Sequence, residues 1–437
     1  MRARISLGTT IALIFIAIAL AVSLTMIFAM DKFSSTVTEV NKKQVMYEYL
    51  TEVDKTVRDN YAGFIDESKL QNGLAASYMD AIGDKYADYL TPDEYASVLQ
   101  EKEGTDDSFG ISIALTGLDR AMTIVRVNEG SVADAAGIKV GDVLVSIDSV
   151  KFSSTEQDYE EAVSYLNDAN KALITIRRDG KEQSFDLVAA SYQIQSVTSE
   201  MLEDSIAYIR ISSFNALTVD QFRTAIEKVN KQGSAAYIFD LRDNTGGTLE
   251  AASEIIGFLL PIGTYGYVVD GKENREPLIA DSAYELNGKA VVLVNKATAG
   301  EAELFAGTLQ ELGLAKVYGE RTFGKSYRQE YFPIASDNAA VKLTVSQMHL
   351  LKSGSWEDAG ITPDKEMEAP TNYVNVDSLL RGQDTFLNEA ILYIDKQGLN
   401  AQGETSIQPS EETSDEQQTT VSKKETKTTT TQKQKKQ

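Results

Sequence analysis

Hydrophobic and polar positions follow two different periods along this chain, and the points where the period changes divide it. Near the start of the polar sequence, apolar residues return at Leu50, Val53, Val57 and Tyr61, the three-to-four spacing of an amphipathic helix. "TPDEYASVLQ" predicts another helix, with Thr91 as its N-cap and Pro92 at the first helical position, where a missing N–H costs nothing. Beyond Gly104 the pattern shortens into β-rich runs separated by glycines. "GSVADAAGIKVGDVLVSID" predicts a short helix over Val132–Ala136, turns at Gly137 and at Gly141–Asp142, and a strand over Val143–Ile147. After Ala190 the order becomes strand, amphipathic helix, strand, Gly-rich turn and helix, as in a layered α/β domain. "AYIFDL" reads as a buried strand followed at once by "NTGG", and "KAVVLV" reads as a second strand whose turn leads into a helix near Glu301 with Leu304, Leu309 and Leu312 on its apolar face.

The two ends depart from this pattern. From Ile5 to Met30 no residue is charged, and a helix of that length would be roughly 39 Å long against a hydrocarbon core of about 30 Å. With Arg2 and Arg4 before it, the run reads as a single-pass anchor that holds the globular part outside the cytoplasm at the cell membrane. The alternative is a cleaved signal peptide, with "ALA" at Ala19–Ala21 as its cleavage site. The last residues, rich in Gln, Thr, Lys and Glu with a single Ile and a single Val, lack the apolar surface to offset chain entropy. The organisation expected is therefore 1–30 anchor or signal, 31–104 helical region, 105–192 β-rich domain, 193–402 α/β core and 403–437 disordered tail. A length of 437 residues allows two to three domains.

Composition narrows the chemistry. A formal charge of −23, without a Lys/Arg stripe in the body of the chain, argues against a nucleic-acid partner. The absence of cysteine removes disulfides, thiolate nucleophiles and Cys-type zinc sites. The one histidine, His349, lies in an apolar strand-like run, so a His-based triad or a metal site lacks partners. Neither a metal nor a cofactor is called for.

Two resemblances follow from these motifs. The "GS-x-A-x-x-AGI-x-x-GD-x-L" pattern resembles the PDZ domain of bacterial proteases, over roughly Asp106 to Ala190. Such a domain captures an extended peptide on a strand edge and its terminal carboxylate on backbone amides. Here the carboxylate loop would be Ser108, Phe109, Gly110 and Ile111, flanked by the helix in "TEQDYEEAVSYLND". Together with "DLRDNTGG", "TAGEAELFAGTLQE" and "GERTFGKSYRQ", the chain from about Tyr47 to Glu368 resembles the carboxyl-terminal processing peptidases, or tail-specific proteases.

That resemblance implies a crotonase-like α/β core, with the PDZ domain inserted in it or preceding it and a helical region at the N-terminus. It also implies a serine-type peptidase acting on protein carboxyl ends through a Ser nucleophile, a Lys base and a Gln that orients the Lys. Residue by residue, the nucleophile position is Gly300, the base Lys325 and the orienting residue Gln329; Gly246 and Gly247 would supply oxyanion amides next to Glu301. Thr245 stands where the family has Pro. The base is kept and the nucleophile lost, so the chain reads as a pseudopeptidase that binds protein C-termini.

The alternatives are an active endopeptidase using another hydroxyl, Thr298 or Ser326, and a non-enzymatic scaffold. Glu301, where the family has a small Ala, is read either as a solvent-facing residue or as an ion-pair partner that keeps Lys325 protonated. Relatives often pair through their helical ends, so a homo-oligomer is compatible with the resemblance.

Overall fold

The computed structural model describes residues 7–116, 120–281, 286, 288–370, 373, 375–379 and 381–396. The tail expected over 403–437 lies outside the described residues, as do Arg2 and Arg4. The chain divides into two compact units, Met1–Leu74 and Ala75–Gln437.

In the first unit, helix α1 (Leu7–Asn60) runs unbroken for 54 residues. Arg58 near its end donates to Asp54 and to Glu67, at the start of helix α2 (Glu67–Ala81). The expected membrane anchor is overturned: among the described residues no helix is long and apolar enough to cross a membrane. The apolar run does not end as a separate span but continues as the same helix through Asp31, Lys32 and the charged sequence beyond. A single-pass location at the cell membrane, and a membrane partner for this helix, are withdrawn. The periodic residues Leu50, Val53, Val57 and Tyr61 are exposed rather than packed.

In the second unit, helix α3 (Pro92–Glu103) starts where the sequence places it. Thr91 caps it reciprocally with Glu94 and Gly104 ends it in the left-handed conformation. The β-rich module follows. Its antiparallel sheet has the order Ile111–Thr116, Ala121–Val127, Val143–Ile147, Lys171–Arg178 and Lys181–Val188. Helices α4 (Val132–Ala136) and α5 (Glu156–Asp168) complete it. Its core gathers Phe109, Ile113, Ile124, Ile147, Ile174 and Ile176. The strands entering and leaving the module, Thr105–Ser108 and Ala190–Gln193, pair with each other. The module is thus inserted, because Asp88–Leu90 before it already belongs to a sheet built from later strands.

The core sheet explains why the apolar runs after Ala190 are nearly continuous. Val197–Met201 pairs antiparallel with Ile206–Ile211; Ala236–Asp240, Lys289–Val294, Ala315–Gly319 and Lys365–Glu366 then follow in parallel. Parallel strands covered on both faces must be apolar on both. Accordingly, Ala207, Ile209, Tyr237, Phe239, Val292 and Val317 point to one face, with helices α6 (Thr218–Lys231), α7 (Leu249–Leu259) and α8 (Glu301–Glu311). Ile206, Ile238, Val291 and Leu293 point to the other, against helix α9 (Thr385–Lys396). A second, antiparallel sheet carries Tyr327–Pro333 and Gly263–Asp270 on the 11-residue strand Ala340–Leu350.

One buried ionic cluster fastens α9 beneath the site. Arg242 is fully buried and donates to both Asp240 and Asp384. Burial alone would raise Asp240, but Arg242 beside it holds the carboxyl below the usual range. Asp384 in turn accepts from the Leu387 N–H in the first turn of α9. Replacing Arg242 with Met leaves two carboxylates without their cation, and the expected loss is about 3–5 kcal/mol of stability. Denaturant or thermal melts check this; a loss under about 1 kcal/mol would show that the cluster does not hold the fold.

Candidate active site

The site forms where two neighbouring parallel strands end. Ala236–Asp240 runs into the loop Leu241–Thr248 ahead of α7, and Lys289–Val294 runs into Asn295–Gly300 ahead of α8. Ligands of open α/β sheets bind at such carboxyl ends. Side-chain hydrogen bonds knit the loops together. Asn295 Oδ1 accepts from the Asp243 N–H at 3.0 Å, and Asn295 Nδ2 donates to Asp243 Oδ1 at 2.7 Å. Asn244 Nδ2 donates to the Ile211 carbonyl at 2.9 Å, and the Ala299 N–H donates to the Asn244 carbonyl at 2.9 Å.

Gly300 sits at the start of α8 with φ 61° and ψ −123°, a conformation that side-chain-bearing residues hold only under strain. A Cβ built there would lie 3.4 Å from the Thr245 carbonyl oxygen, an ordinary contact. There is room for a side chain, and none is present.

Glu303 organises what surrounds it, a role that sequence spacing did not reveal. Its fully buried carboxylate accepts from four donors: Gly300 N–H at 3.0 Å, Lys325 N–H at 2.7 Å, Gly324 N–H at 2.7 Å and the Thr322 hydroxyl at 2.5 Å. The backbones of Gly300 and Lys325 are thereby fixed to one side chain. Burial nonetheless raises the pKa of Glu303 above the usual range.

Lys325 and Gly300 line one pocket of about 210 Å³ with Gly247, Glu301, Gln329 and Lys102. Burial pushes Lys325 below the usual lysine value, although the charges of Glu301, Glu357 and Glu303 pull it upward. Glu301 thus favours the charged form of Lys325, as expected, but burial outweighs it in the net direction. Gln329 shares the pocket, but its amide donates to the Tyr327 carbonyl and the Thr344 hydroxyl rather than to Lys325. A register shift between Arg328 and Gln329 accompanies that direction. Lys102, from α3, was not foreseen: some 220 residues separate it from Lys325 in the sequence, and only the fold brings it to the pocket. Burial lowers its pKa too.

The oxyanion loop differs from expectation in two ways. The Gly246 N–H is taken by Asn244 Oδ1 at 2.8 Å and does not face the pocket. The Gly247 N–H does, and it donates to Glu301 Oε2 at 3.0 Å. Burial raises the pKa of the Glu301 carboxyl above the usual range. Glu301 is only 8% exposed, so it is not solvent-facing, and among the described residues it makes no ion pair within 4.0 Å. Its carboxylate occupies the pocket side of the Gly247 N–H.

The hydroxyls considered as substitutes are committed elsewhere. Thr298 is buried and donates to the Leu241 carbonyl at 2.9 Å; Ser326 is buried against Ser355 and Glu357. His349 bonds Gln347 in its strand.

In the β-rich module, Ile111 begins the outer strand of its sheet, the geometry a peptide needs for strand addition. Phe109 is a core residue, 1% exposed, so its side chain lines no groove. The Gly110 N–H is already taken by Ser108 Oγ at 3.0 Å. At φ 75°, Gly110 also abuts Ser131, with a built Cβ only 2.2 Å from Ser131 Cβ. Tyr159 of α5 reaches across to the Ile113 carbonyl at 3.4 Å.

Comparison with known proteins fits this geometry. Residues 205–367 match peptidase family S41, and residues 123–178 match the PDZ domain. The carboxyl-terminal-processing protease of Synechocystis sp. is 30% identical over 287 residues, covering 64% of this chain and 67% of its own length. The chain belongs to peptidase family S41. A further relative is the carboxy-terminal processing protease CtpA of Bacillus subtilis, 28% identical over 353 residues, 78% of this chain and 74% of that protein. A crystal structure of a candidate S41 protease from Bacteroides fragilis superposes with a TM-score of 0.54 at 16% identity, covering 74% of this chain and 90% of that one. The S41 assignment accords with the crotonase-like core and the inserted PDZ domain.

The two pocket lysines of this S41 protein supply a direct check. Since burial lowers both, Lys325 and Lys102 are expected to become deprotonated, and to react with an acylating reagent, at lower pH than the exposed lysines. Mass-spectrometric mapping of acylation against pH reads this; onset together with the exposed lysines would contradict the burial described.

Proposed function

We propose that this chain binds the carboxyl-terminal segments of proteins without hydrolysing them, as a pseudopeptidase of the carboxyl-terminal processing group. One observation carries the reading: at Gly300, facing the pocket from the start of α8, there is no side-chain atom to attack a carbonyl. Covalent catalysis needs that atom; without a nucleophile the acyl-enzyme does not form. Removing one member of a well-studied triad leaves about 10³ to 10⁴ over water, which for a peptide bond is negligible. The commitment of Thr298 and Ser326 to other partners supports the same conclusion. Binding rests on the relatives' carboxyl-terminal processing and on the free outer strand of the PDZ domain.

The wild-type chain is expected to leave casein intact and to resist a fluorophosphonate probe. Hydrolysis abolished by Lys325→Ala would overturn the proposal. Peptides with free carboxyl termini should bind more tightly than their amidated forms; equal affinity would remove carboxylate capture from the reading.

Restoring a nucleophile is the sharper test. Gly300→Ser alone should remain nearly inactive, because the Glu301 carboxylate holds the Gly247 amide needed for the oxyanion. Gly300→Ser with Glu301→Ala should gain peptidase activity that depends on Lys325. Its rate should rise with pH as Lys325 loses its proton, beginning below the usual lysine range. The Glu301 charge pulls the Lys325 pKa up, so its removal moves that rise further toward low pH. A folded double variant with no activity would show that more than these two residues separates the pocket from a working one.

A further inference from the structure

We infer that the paired N–H groups of Gly247 and Glu301 form a carboxylate-binding site, whose ligand is the free α-carboxylate of a bound chain end and whose resident competitor is the Glu301 side chain. This rests on the reading that the pocket receives chain ends, but it does not depend on whether they are cut. It is more than a helix terminus. One donor comes from the loop after Ala236–Asp240 and already holds the Glu301 carboxylate; the other is the N–H of the first residue of α8.

The loop is shaped around that group. A Cβ at Gly246 would fall 2.4 Å from Glu301 Oε2, and one at Gly247 would fall 2.0 Å from the Phe214 carbonyl oxygen. Two glycines thus let the backbone close on the carboxylate. The Gly247 segment is also held from behind, since the Phe214 N–H donates to the Gly246 carbonyl at 3.0 Å and the Thr248 N–H to the Phe214 carbonyl at 2.8 Å. The donors are therefore in position before any ligand arrives.

The pocket also has a place for Glu301 to go. Arg328 is paired with Glu250 and Glu330, whereas Lys325 and Lys102 make no ion pair within 4.0 Å among the described residues. A displaced Glu301 side chain can settle against either ammonium, so exchange with an incoming carboxylate keeps the charge of the pocket balanced. As an intramolecular ligand, the side chain competes at an effective concentration in the millimolar range or above. A free carboxylate thus meets a site that is built but filled.

Isothermal titration of the full chain with N-acetyl-alanine, and with N-acetyl-alaninamide as control, tests this. Glu301→Ala should bind the acid at least about tenfold more tightly than the wild type does, with no gain for the amide. Glu301→Gln keeps an acceptor oxygen for the Gly247 N–H and should behave like the wild type. Adding Lys325→Ala to Glu301→Ala should weaken the acid again, which locates the binding in this pocket. The PDZ domain is common to all variants, so differences between them report the pocket alone. Thermal melts establish that each variant is folded. No gain in folded Glu301→Ala, an equal gain for the amide, or a gain in Glu301→Gln matching that of Glu301→Ala would overturn the inference. Casein cleavage by the wild type would overturn the pseudopeptidase reading and leave this one standing; an absent gain in Glu301→Ala would do the reverse.

Discussion

The buried carboxylate of Glu303 is the constraint on which the site depends. A carboxylate taken out of water is costly unless its oxygens are satisfied, and here four donors satisfy them: Gly300, Thr322, Gly324 and Lys325. Three of these are the start of a helix, the turn before Lys325, and the Lys325 backbone. Gly300 is held locally, as the cap three residues before Glu303, but Thr322, Gly324 and Lys325 lie 19 to 22 residues further on and are not placed by local sequence. Glu303 converts that separation into a fixed approach, so the pocket keeps its outline whatever side chain stands at 300.

The apolar runs of the core strands, the Thr91 cap, the glycine turns of the PDZ domain and the start of α8 could be placed from periodicity and turn chemistry alone. These features are local, and each is dictated by residues within one helical turn or one strand. Directions of side chains were not legible in the same way. That the Gly246 N–H turns to Asn244, that Glu301 folds back onto Gly247, and that Gln329 bonds its own strand all follow from contacts between loops. Lys102 enters the pocket only because α3 packs where it does. The N-terminal run was misjudged because a count of uncharged residues does not measure how apolar a helix is, and among the described residues none is long and apolar enough to cross a membrane.

The structure around position 300 does not depend on a side chain there. A serine at φ 61° would hold backbone strain of about 1–3 kcal/mol, the sort of cost stored at catalytic centres; glycine adopts that conformation freely. The amides nearby are positioned by Asn244, Phe214 and Glu303, none of which bonds through a side chain at residue 300. The neighbouring Glu301 then occupies the Gly247 N–H, which would otherwise be left without a protein partner. Gly300 adopts the turn without strain, and Glu301 satisfies the Gly247 N–H, although burial raises the pKa of its carboxyl. The order of the loops around residue 300 therefore comes from these backbone and carboxylate contacts, and not from any side chain at that position.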